Sequence, residues 1–186
     1  VNSGKRRRWK CKLGHSWEIS IDGRHLGMTG CPICSNQQLL VGYNDLATTH
    51  PEIAKEADGW DPSLVGAGTK KKLKWICRKS HSWSASVNSR TSMRTGCPIC
   101  ANKQVFAGFN DLATTHPEIA AQAFGWDPTT VIAGNHKQFI WQCPMAHTWS
   151  ASLTNRTQHG SACPICANKQ VLAGFNDVAT THPELA

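Results

Sequence analysis

A cysteine and histidine pattern occurs three times in this chain, at a spacing of 66 residues. Each copy has the form W-x-C-x3-H-x-W-x13-C-P-I-C, and together the copies use all nine cysteines. Three thiolates and one imidazole are the ligand number and type of a closed tetrahedral zinc site. The sequence therefore predicts three structural Zn²⁺ ions. Their expected ligands are Cys11, His15, Cys31 and Cys34; Cys77, His81, Cys97 and Cys100; and Cys143, His147, Cys163 and Cys166.

Two other uses of the cysteines are disfavoured. A disulfide framework, or a set of inert core thiols, fits poorly because the count is odd and a histidine accompanies every triplet. We find no signal peptide that would direct the chain to an oxidising compartment. A catalytic zinc usually keeps one coordination position for water, whereas four protein ligands are expected here. The metal is thus expected to stabilise folding.

The repeat also predicts the domain organisation. A strict period within 186 residues indicates small units in series, each needing a metal to fold. We expect small α+β zinc modules at residues 1–66, 67–132 and 133–186, each followed by a linker helix that is partial in the last. The chain begins and ends partway through a repeat, which suggests a piece of a longer protein. Without an apolar run of membrane-spanning length, we expect a soluble intracellular protein (cytoplasmic, nucleoid or nuclear) that is not secreted.

Period-two alternation predicts a short strand after the first ligand pair of each copy. In the middle copy Trp83, Ala85 and Val87 alternate with serines, as expected for a half-buried strand. A polar turn region should follow, and residues 101–105 should form a short helix after the Cys-Pro-Ile-Cys segment. We expect the tryptophans on the apolar strand phase to pack in the core; base stacking by exposed tryptophans is the alternative.

The segment between zinc sites is predicted to contain a helix. Thr49 and Glu52, like their equivalents in the other copies, have the spacing of a capping box. The helix should continue through residues 53–57 and stop near Gly59. Trp60 and Trp126 are expected to pack on it. His50 and its equivalents are expected to be first-turn residues, because each zinc already has four ligands.

Several joined motifs carry a resemblance that covers essentially the whole chain. These are W-x-C-x3-H-x-W, a repeated arginine, G-C-P-x-C and N-D-L-A-T-T-H-P-E. Together they resemble the tandem probable zinc-ribbon or treble-clef zinc-finger repeat family, which is catalogued without an assigned function. The resemblance implies treble-clef-like fingers, each a β-hairpin plus a helix. Some family members carry restriction-type nuclease domains, which implies a nucleic-acid-linked role and an attached effector domain outside this chain. Ala146 and Ala162 depart from the pattern and put local turn geometry in the third copy in question.

Charge is distributed unevenly along the chain, whose formal net charge is +8. Residues 1–30 hold seven lysines and arginines against two acids, and residues 70–94 hold eight with no acid. Residues 35–66 hold five acids and one lysine. The third copy has one lysine where the middle copy has its basic run. Positive charge clustered at the zinc sites favours a polyanion as partner, DNA more than RNA.

The candidate nucleic-acid contacts are Lys5, Arg6, Arg7, Arg8, Lys10, Arg24, Lys70, Lys71, Lys72, Lys74, Arg90, Arg94 and Arg156. The repeated arginines Arg24, Arg90 and Arg156 could reach guanine bases, or could instead brace the hairpin or pair with a carboxylate. The basic runs could equally be a solvated surface.

The predicted function is a structural zinc-finger array that binds or targets nucleic acid, most readily DNA, within a larger protein. The alternative is a protein-interaction scaffold, because fold alone does not determine function. A nuclease built on a treble clef would need a catalytic histidine outside the zinc site. His25, His136 and His159 occur at unrelated positions, so we expect no enzymatic activity in this chain.

Overall fold

Three β-hairpins organise the chain, each around one pair of facing tryptophans. The computed structural model describes residues 4–27 and 29–185; residues 1–3 of the first predicted module lie outside this range. The strands are β1 Arg6–Lys10, β2 Ser16–Ser20, β3 Lys72–Ile76, β4 Ser82–Ser86, β5 Gln138–Gln142 and β6 Thr148–Ser152. They pair antiparallel as β1-β2, β3-β4 and β5-β6. The register places Trp9 opposite Trp17, Trp75 opposite Trp83, and Trp141 opposite Trp149.

Short helices connect and flank the hairpins. They are α1 Ile21–His25, α2 Leu46–Thr49, α3 Pro51–Ala54, α4 Val87–Thr91, α5 Leu112–Thr115, α6 Pro117–Ala120, α7 Leu153–Thr157 and α8 Val178–Thr181. Single 3-10 turns occupy Pro62–Leu64, Pro128–Thr130 and Pro183–Leu185. Together with the hairpins and the three Cys/His groups, they form the small α+β treble-clef-like modules that the sequence predicted. None of the helices in the described part of the chain is long and apolar enough to cross a membrane.

The second strand of each hairpin ends at a serine that begins a helix. Ser86 caps α4 by accepting a hydrogen bond from the Ser89 amide at 3.1 Å, and Ser20 and Ser152 cap α1 and α7 in the same way. The period-two alternation predicted Val87 in the strand and a polar turn after it. That prediction was wrong, because the serine cap turns the chain into a helix one residue earlier.

The linker helices also differ from prediction. The N-cap of α2 is Asp45, whose carboxylate accepts from the Thr48 amide at 2.8 Å. His50 occupies the N-cap of α3 and makes no side-chain capping bond, while the Thr49 hydroxyl donates to the Asp45 carbonyl at 2.7 Å. The predicted capping box is therefore absent here. Helix α3 ends at Ala54, short of the predicted stop near Gly59. Residues 101–105, where a short helix was also expected, form turns instead.

Each linker pairs with the first strand of the hairpin that follows it. Ala57 forms an antiparallel bridge with Trp75, and Ala123 forms the same bridge with Trp141. Trp60 packs edge-on against Trp75, with 5.0 Å between ring centroids, and donates to the Lys74 carbonyl. We expected Trp60 on the linker helix. It lies on the hairpin because the linker leaves its helix at Ala54 and becomes extended.

Two compact units are distinguished by their internal contacts, residues 1–97 and 98–186. In the second unit, the buried residues of one core are Leu112, Ala120, Trp141, Cys143, Trp149, Leu153, Cys163 and Ile165. This core joins linker, hairpin and zinc ligands. A smaller core in the first unit contains Trp17, Cys31 and Ile33. The zinc ligands Cys31, Cys143 and Cys163 are thus part of these hydrophobic cores.

Candidate metal centres and their surroundings

The first two ligands of each group are delivered by a tight turn between the hairpin strands. The Cys11 amide donates to the His15 carbonyl at 3.0 Å, and the Gly14 amide donates back to Cys11. The same pair of bonds occurs at Cys77 and Cys143. The residue before the histidine has a positive φ in every copy: 86° at Gly14, and 61° at both Ser80 and Ala146. Ala146 therefore preserves the turn that the sequence left in question, but with a side chain where glycine is favoured.

The last two ligands lie on a second turn formed by Cys-Pro-Ile-Cys. In the first copy the Ser35 amide donates to the Cys31 carbonyl at 3.1 Å, and the Asn36 amide donates to Ile33. Asn36 has a φ of 57°, a conformation that asparagine tolerates better than most residues. The turn brings both thiols to one side, where they face the hairpin ligands.

The donor atoms fit a tetrahedral Zn²⁺ ion. Within each of the three predicted groups the four ligand atoms lie within 4.8 Å of one another. The Cys11 and Cys34 sulfurs are 3.8 Å apart, as are those of Cys143 and Cys166. Tetrahedral Zn–S bonds of about 2.3 Å require sulfurs roughly 3.8 Å apart. Distances from histidine Nδ1 to the thiols range from 3.2 to 3.8 Å. The structure thus brings the predicted ligands together in three groups that could each hold a metal ion, consistent with three structural zinc ions.

Thiols within one group titrate differently. Desolvation and the adjacent Cys31 and Cys11 raise the pKa of the Cys34 thiol to about 11. Desolvation also opposes ionisation of Cys11, but backbone hydrogen bonds at Leu13 and His15 outweigh it and lower the pKa of that thiol. Cys143 and Cys166 repeat this contrast. A divalent cation overcomes the mutual repulsion of these sulfurs, because zinc binds cysteine as thiolate and displaces the protons.

An asparagine that the sequence analysis assigned no role holds the second turn in place. The amide of Asn44 is buried and donates to the Ile33 carbonyl at 3.1 Å and to the Gln38 carbonyl at 3.0 Å. Its Oδ1 accepts from the Leu40 amide at 2.7 Å. Asn110 and Asn176 make the equivalent bonds. The sequence did contain a signal for this role, because Asn-Asp recurs at the same spacing after each Cys-Pro-Ile-Cys.

The adjacent aspartate completes the same loop. Asp111 is fully buried, and its carboxylate accepts from the Gly108 amide at 2.6 Å and from the Thr114 amide and hydroxyl. Burial opposes its ionisation, but the bonds from Thr114 and Gly108 prevail and lower the pKa of the carboxyl. Asp111 is thus a charged cap that ties the zinc turn to the linker helix.

Aromatic rings pack against histidine ligands, as the first and third copies show. The His15 imidazole meets the ring of Tyr43 edge-on, with 4.3 Å between centroids. His147 meets Phe175 in the same geometry, also at 4.3 Å. Contact with a neighbouring ring limits rotation of the imidazole and keeps Nδ1 directed at the thiols.

The repeated arginines lie beneath the hairpins. Arg90 is 6% exposed, and its guanidinium carbon lies 5.1 Å from the Trp75 ring and 5.2 Å from that of Trp83. It donates to the Thr95 carbonyl and to the carboxylate of Glu56. Of the two roles predicted for this arginine, the contacts favour bracing and carboxylate pairing.

In the other two copies the equivalent arginine also packs on the hairpin tryptophans, but its hydrogen-bond partners differ. Arg156, also 6% exposed, lies between Trp141 and Trp149 and donates to Gln122 at 2.6 Å. Arg24 is half-buried over Trp9 and donates to the Thr29 carbonyl at 2.7 Å. As a correction to the list of candidate contacts, burial removes Arg90 and Arg156 from the surface that could reach a nucleic acid.

The remaining candidate contacts lie on the surface. Those with exposed side chains are Lys5, Arg6, Arg7, Arg8, Lys10, Lys70, Lys71, Lys72, Lys74 and Arg94. By contrast Trp17, Trp83 and Trp149 are at most 9% exposed. These tryptophans are core residues, as predicted, and are not available for base stacking in this fold. The exposed candidate contacts on the hairpins are therefore lysines and arginines. The buried tryptophans of the second strands do not accompany them on the surface.

Comparison with known proteins places the fold and the metal groups in a family. The model of a family described as probable treble clef zinc finger domain matches residues 1–37, 52–103 and 122–169. Since these regions make up most of the chain, the protein belongs to this family. The chain is also similar to a protein of Escherichia phage T5 named "Putative endonuclease", with 25% identity over 114 residues. The alignment covers 60% of this chain and 38% of that relative, so the chain spans well under half of the relative's length.

Proposed function

We propose that this chain is a nucleic-acid-binding zinc-finger array that targets a larger protein to DNA. The observation that carries the proposal is the segregation of charge. Residues 70–94 contain eight lysines and arginines and no acid, and Lys70, Lys71, Lys72 and Lys74 are all exposed on or beside one hairpin. Exposed cations on a rigid, metal-held element match a polymer of regularly spaced phosphates.

The name of the phage relative supports this proposal. An endonuclease acts on nucleic acid, and the aligned portion is about a third of that protein. Tandem zinc modules in such a protein would supply binding, while another portion supplies catalysis. By this reasoning we extend the proposal to an attached effector domain, with a nuclease as the class that the comparison favours.

The chain itself is proposed to bind and not to catalyse. Each metal group has four protein donors, which fills a tetrahedral shell and leaves no position for a reactive water. His25, His136 and His159 lie outside these groups and occupy unrelated positions in the three copies. A hydrolytic site repeated with the modules would require equivalent groups in each copy.

The test is binding of the zinc-loaded chain to labelled duplex DNA, single-stranded DNA and RNA across a salt series. A variant with glutamine at Lys70, Lys71, Lys72 and Lys74 is measured alongside. For duplex DNA the slope of log K against log salt should become shallower in the variant by about two units or more, with a maximum of about 3.6 units if each of the four lysines neutralises one phosphate.

Zinc stoichiometry and circular dichroism serve as controls for folding of both proteins. Absence of binding at low salt by a folded protein carrying three zinc ions would contradict the proposal and favour the protein-interaction scaffold. Binding whose salt dependence is unchanged in the variant would place the contact elsewhere on the chain.

A further inference from the structure

The β3-β4 hairpin has two faces of different chemistry. Its inner face carries Trp75 and Trp83, which are 0% and 8% exposed. We define the outer face as the residues that alternate with them: Lys72, Lys74 and Ile76 on β3, and Ser82, Ser84 and Ser86 on β4. The register pairs Lys74 with Ser84 and Lys72 with Ser86 across this face. Lysines thus lie along β3 and serines along β4; Ser84 is exposed, while Ser86 is half-buried and its hydroxyl caps α4.

Positive charge on the outer face lies on β3. Lys72 and Lys74 have serines as their cross-strand partners. The Asp58 carboxylate accepts from the Ser82 hydroxyl at 2.9 Å and the Asp58 amide donates to the Lys74 carbonyl at 3.2 Å, so this acid borders the face beside Ser82 and Lys74. Lysine binds phosphate as a point charge, and serine hydroxyls commonly bond phosphate oxygens or base edges. The lysine row on β3 is therefore the part of this face suited to an anionic ligand.

The shape of this face suits duplex DNA. The major groove of B-form DNA is about 12 Å wide and admits a two-stranded β-ribbon, whose strands are about 4.8 Å apart. Residues two apart on a strand are separated by about 6.8 Å. This separation matches two base steps, each a rise of about 3.4 Å along the helix axis. Both lysines can therefore follow one groove while the tryptophan face stays on the protein core.

Other nucleic acids fit this surface less well. Proteins bind unpaired bases largely by stacking them on exposed aromatic side chains, but the hairpin tryptophans are turned inward. The major groove of an A-form RNA duplex is too deep and narrow for side chains to read. The outer face offers flexible cations and small hydroxyls, which suit the phosphates and base edges of a B-form duplex.

We propose that the outer face of the β3-β4 hairpin binds double-stranded DNA by lying in its major groove, an inference that rests on the function proposed above. The β1-β2 hairpin has a related face, with Arg6, Arg8 and Lys10 exposed on β1. Glu18 stands opposite Arg8 on that hairpin and offsets part of its charge. On the β3-β4 hairpin both lysines of the outer face have serines directly opposite them, so neither faces an acid across the strands.

The experiment compares two double variants with the same loss of charge. Lys72→Gln/Lys74→Gln removes both lysines of the outer face. Lys70→Gln/Lys71→Gln removes two neighbouring exposed lysines that precede β3. On a duplex DNA probe the outer-face variant should lose about two units of salt slope, and the matched variant less than one. Zinc content and circular dichroism are measured for each variant.

Groove choice is tested with competitors on the same probe. Methyl green, which occupies the major groove, should displace the wild-type protein, and netropsin, which occupies the minor groove, should not. A duplex RNA and a single-stranded DNA of the same sequence should bind more weakly than the duplex DNA at every salt concentration.

The outcomes separate this inference from the proposed function. Equal losses in the two double variants, displacement by netropsin alone, or tighter binding to RNA or single-stranded DNA would overturn the inference while nucleic-acid binding stands. No binding of the zinc-loaded wild-type protein to any of these probes would overturn both.

Discussion

The β3-β4 and β5-β6 hairpins share a fold but differ in surface chemistry. Both bury a facing tryptophan pair and brace it with an arginine that is 6% exposed. On β3 the outer face carries Lys72 and Lys74, whereas the equivalent positions on β5 are Gln138 and Ile140. Since alternate residues of a strand point to opposite faces, the inner positions can specify the module while the outer ones vary. The comparison teaches that one metal-held fold can carry different surface chemistry.

Loss of a zinc ligand tests whether the two modules are separable, and should have the largest effect. Cys163→Ser is expected to unfold the β5-β6 module, because the zinc binding energy of such sites, about 10 kcal/mol or more, is folding energy. Native mass spectrometry should show two zinc ions instead of three. Hydrogen exchange should accelerate in β5 and β6 while β3 and β4 remain protected.

The reciprocal variant Cys97→Ser serves as the control and should reverse this pattern of protection. Simultaneous loss of all three zinc ions in either variant would contradict the modular interpretation.

The buried arginines distinguish the two modules energetically. Arg90 pairs with the carboxylate of Glu56, whereas Arg156 pairs with the neutral amide of Gln122. Arg90→Met should lower the free energy of unfolding by about 3 kcal/mol, since it leaves a carboxylate without its cation. Arg156→Met should cost about 1 to 2 kcal/mol. Denaturant unfolding followed by hydrogen exchange in each hairpin measures both values.

A second substitution identifies the source of this difference. Glu56→Gln reproduces the neutral pairing of the third copy and should bring the cost of Arg90→Met close to that of Arg156→Met. If the stability costs of Arg90→Met and Arg156→Met still differ in the Glu56→Gln background, the carboxylate is not the cause of the difference.

Transfer of the outer-face lysines tests whether surface chemistry alone separates the hairpins. Gln138→Lys/Ile140→Lys places lysines on β5 at the positions of Lys72 and Lys74. Duplex DNA binding should tighten, with a salt slope steeper by about two units, because two more phosphates are neutralised. Fluorescence anisotropy across a salt series measures the change.

A charge-matched control is available on the same unit. Gln104→Lys/Gln170→Lys adds two lysines at exposed positions away from β5. It should strengthen binding less than the transferred pair does. Equal gains would show that net charge, and not its place on the hairpin, governs affinity.

The smallest effect is expected at the turn before the histidine ligand. Ser80 and Ala146 adopt a φ of 61° that glycine accepts without strain, as Gly14 shows in the first copy. Substitution by glycine should relieve about 1 to 2 kcal/mol of backbone strain. This gain is partly offset by the greater conformational freedom of glycine in the unfolded chain. Ser80→Gly and Ala146→Gly should each stabilise their module by about 0.5 to 1 kcal/mol in thermal unfolding of the zinc-loaded protein. Destabilisation by either would show that the turn is not strained.

Local patterns predicted the second strand of each hairpin and its buried face. Period-two alternation placed Trp83 in the core, and ligand spacing grouped Cys77 with His81; the first strand of the hairpin was not predicted from these patterns. Both features depend on residues a few positions apart, so a single copy of the motif contains the necessary information.

Predictions for the linkers failed where distant parts of the chain meet. The helix expected over residues 53–57 ends at Ala54, because Glu56 and Ala57 instead bond the first strand of the next hairpin. The capping box was also replaced, since the Asp45 carboxylate caps an earlier helix. Spacing alone did not distinguish Thr49 from Asp45 as the residue that caps.

By itself, the sequence determined the metal chemistry, the number of modules and the two faces of each hairpin, because ligand type and strand period are local properties. Only the tertiary structure decided which cations remain available to a partner. Arg90 and Lys74 are both basic residues of one repeat, yet one lies buried between two tryptophans and the other is exposed. The physical reason is that a guanidinium can be buried where rings, a carbonyl and a carboxylate receive it, and those groups come together only when linker and hairpin pack.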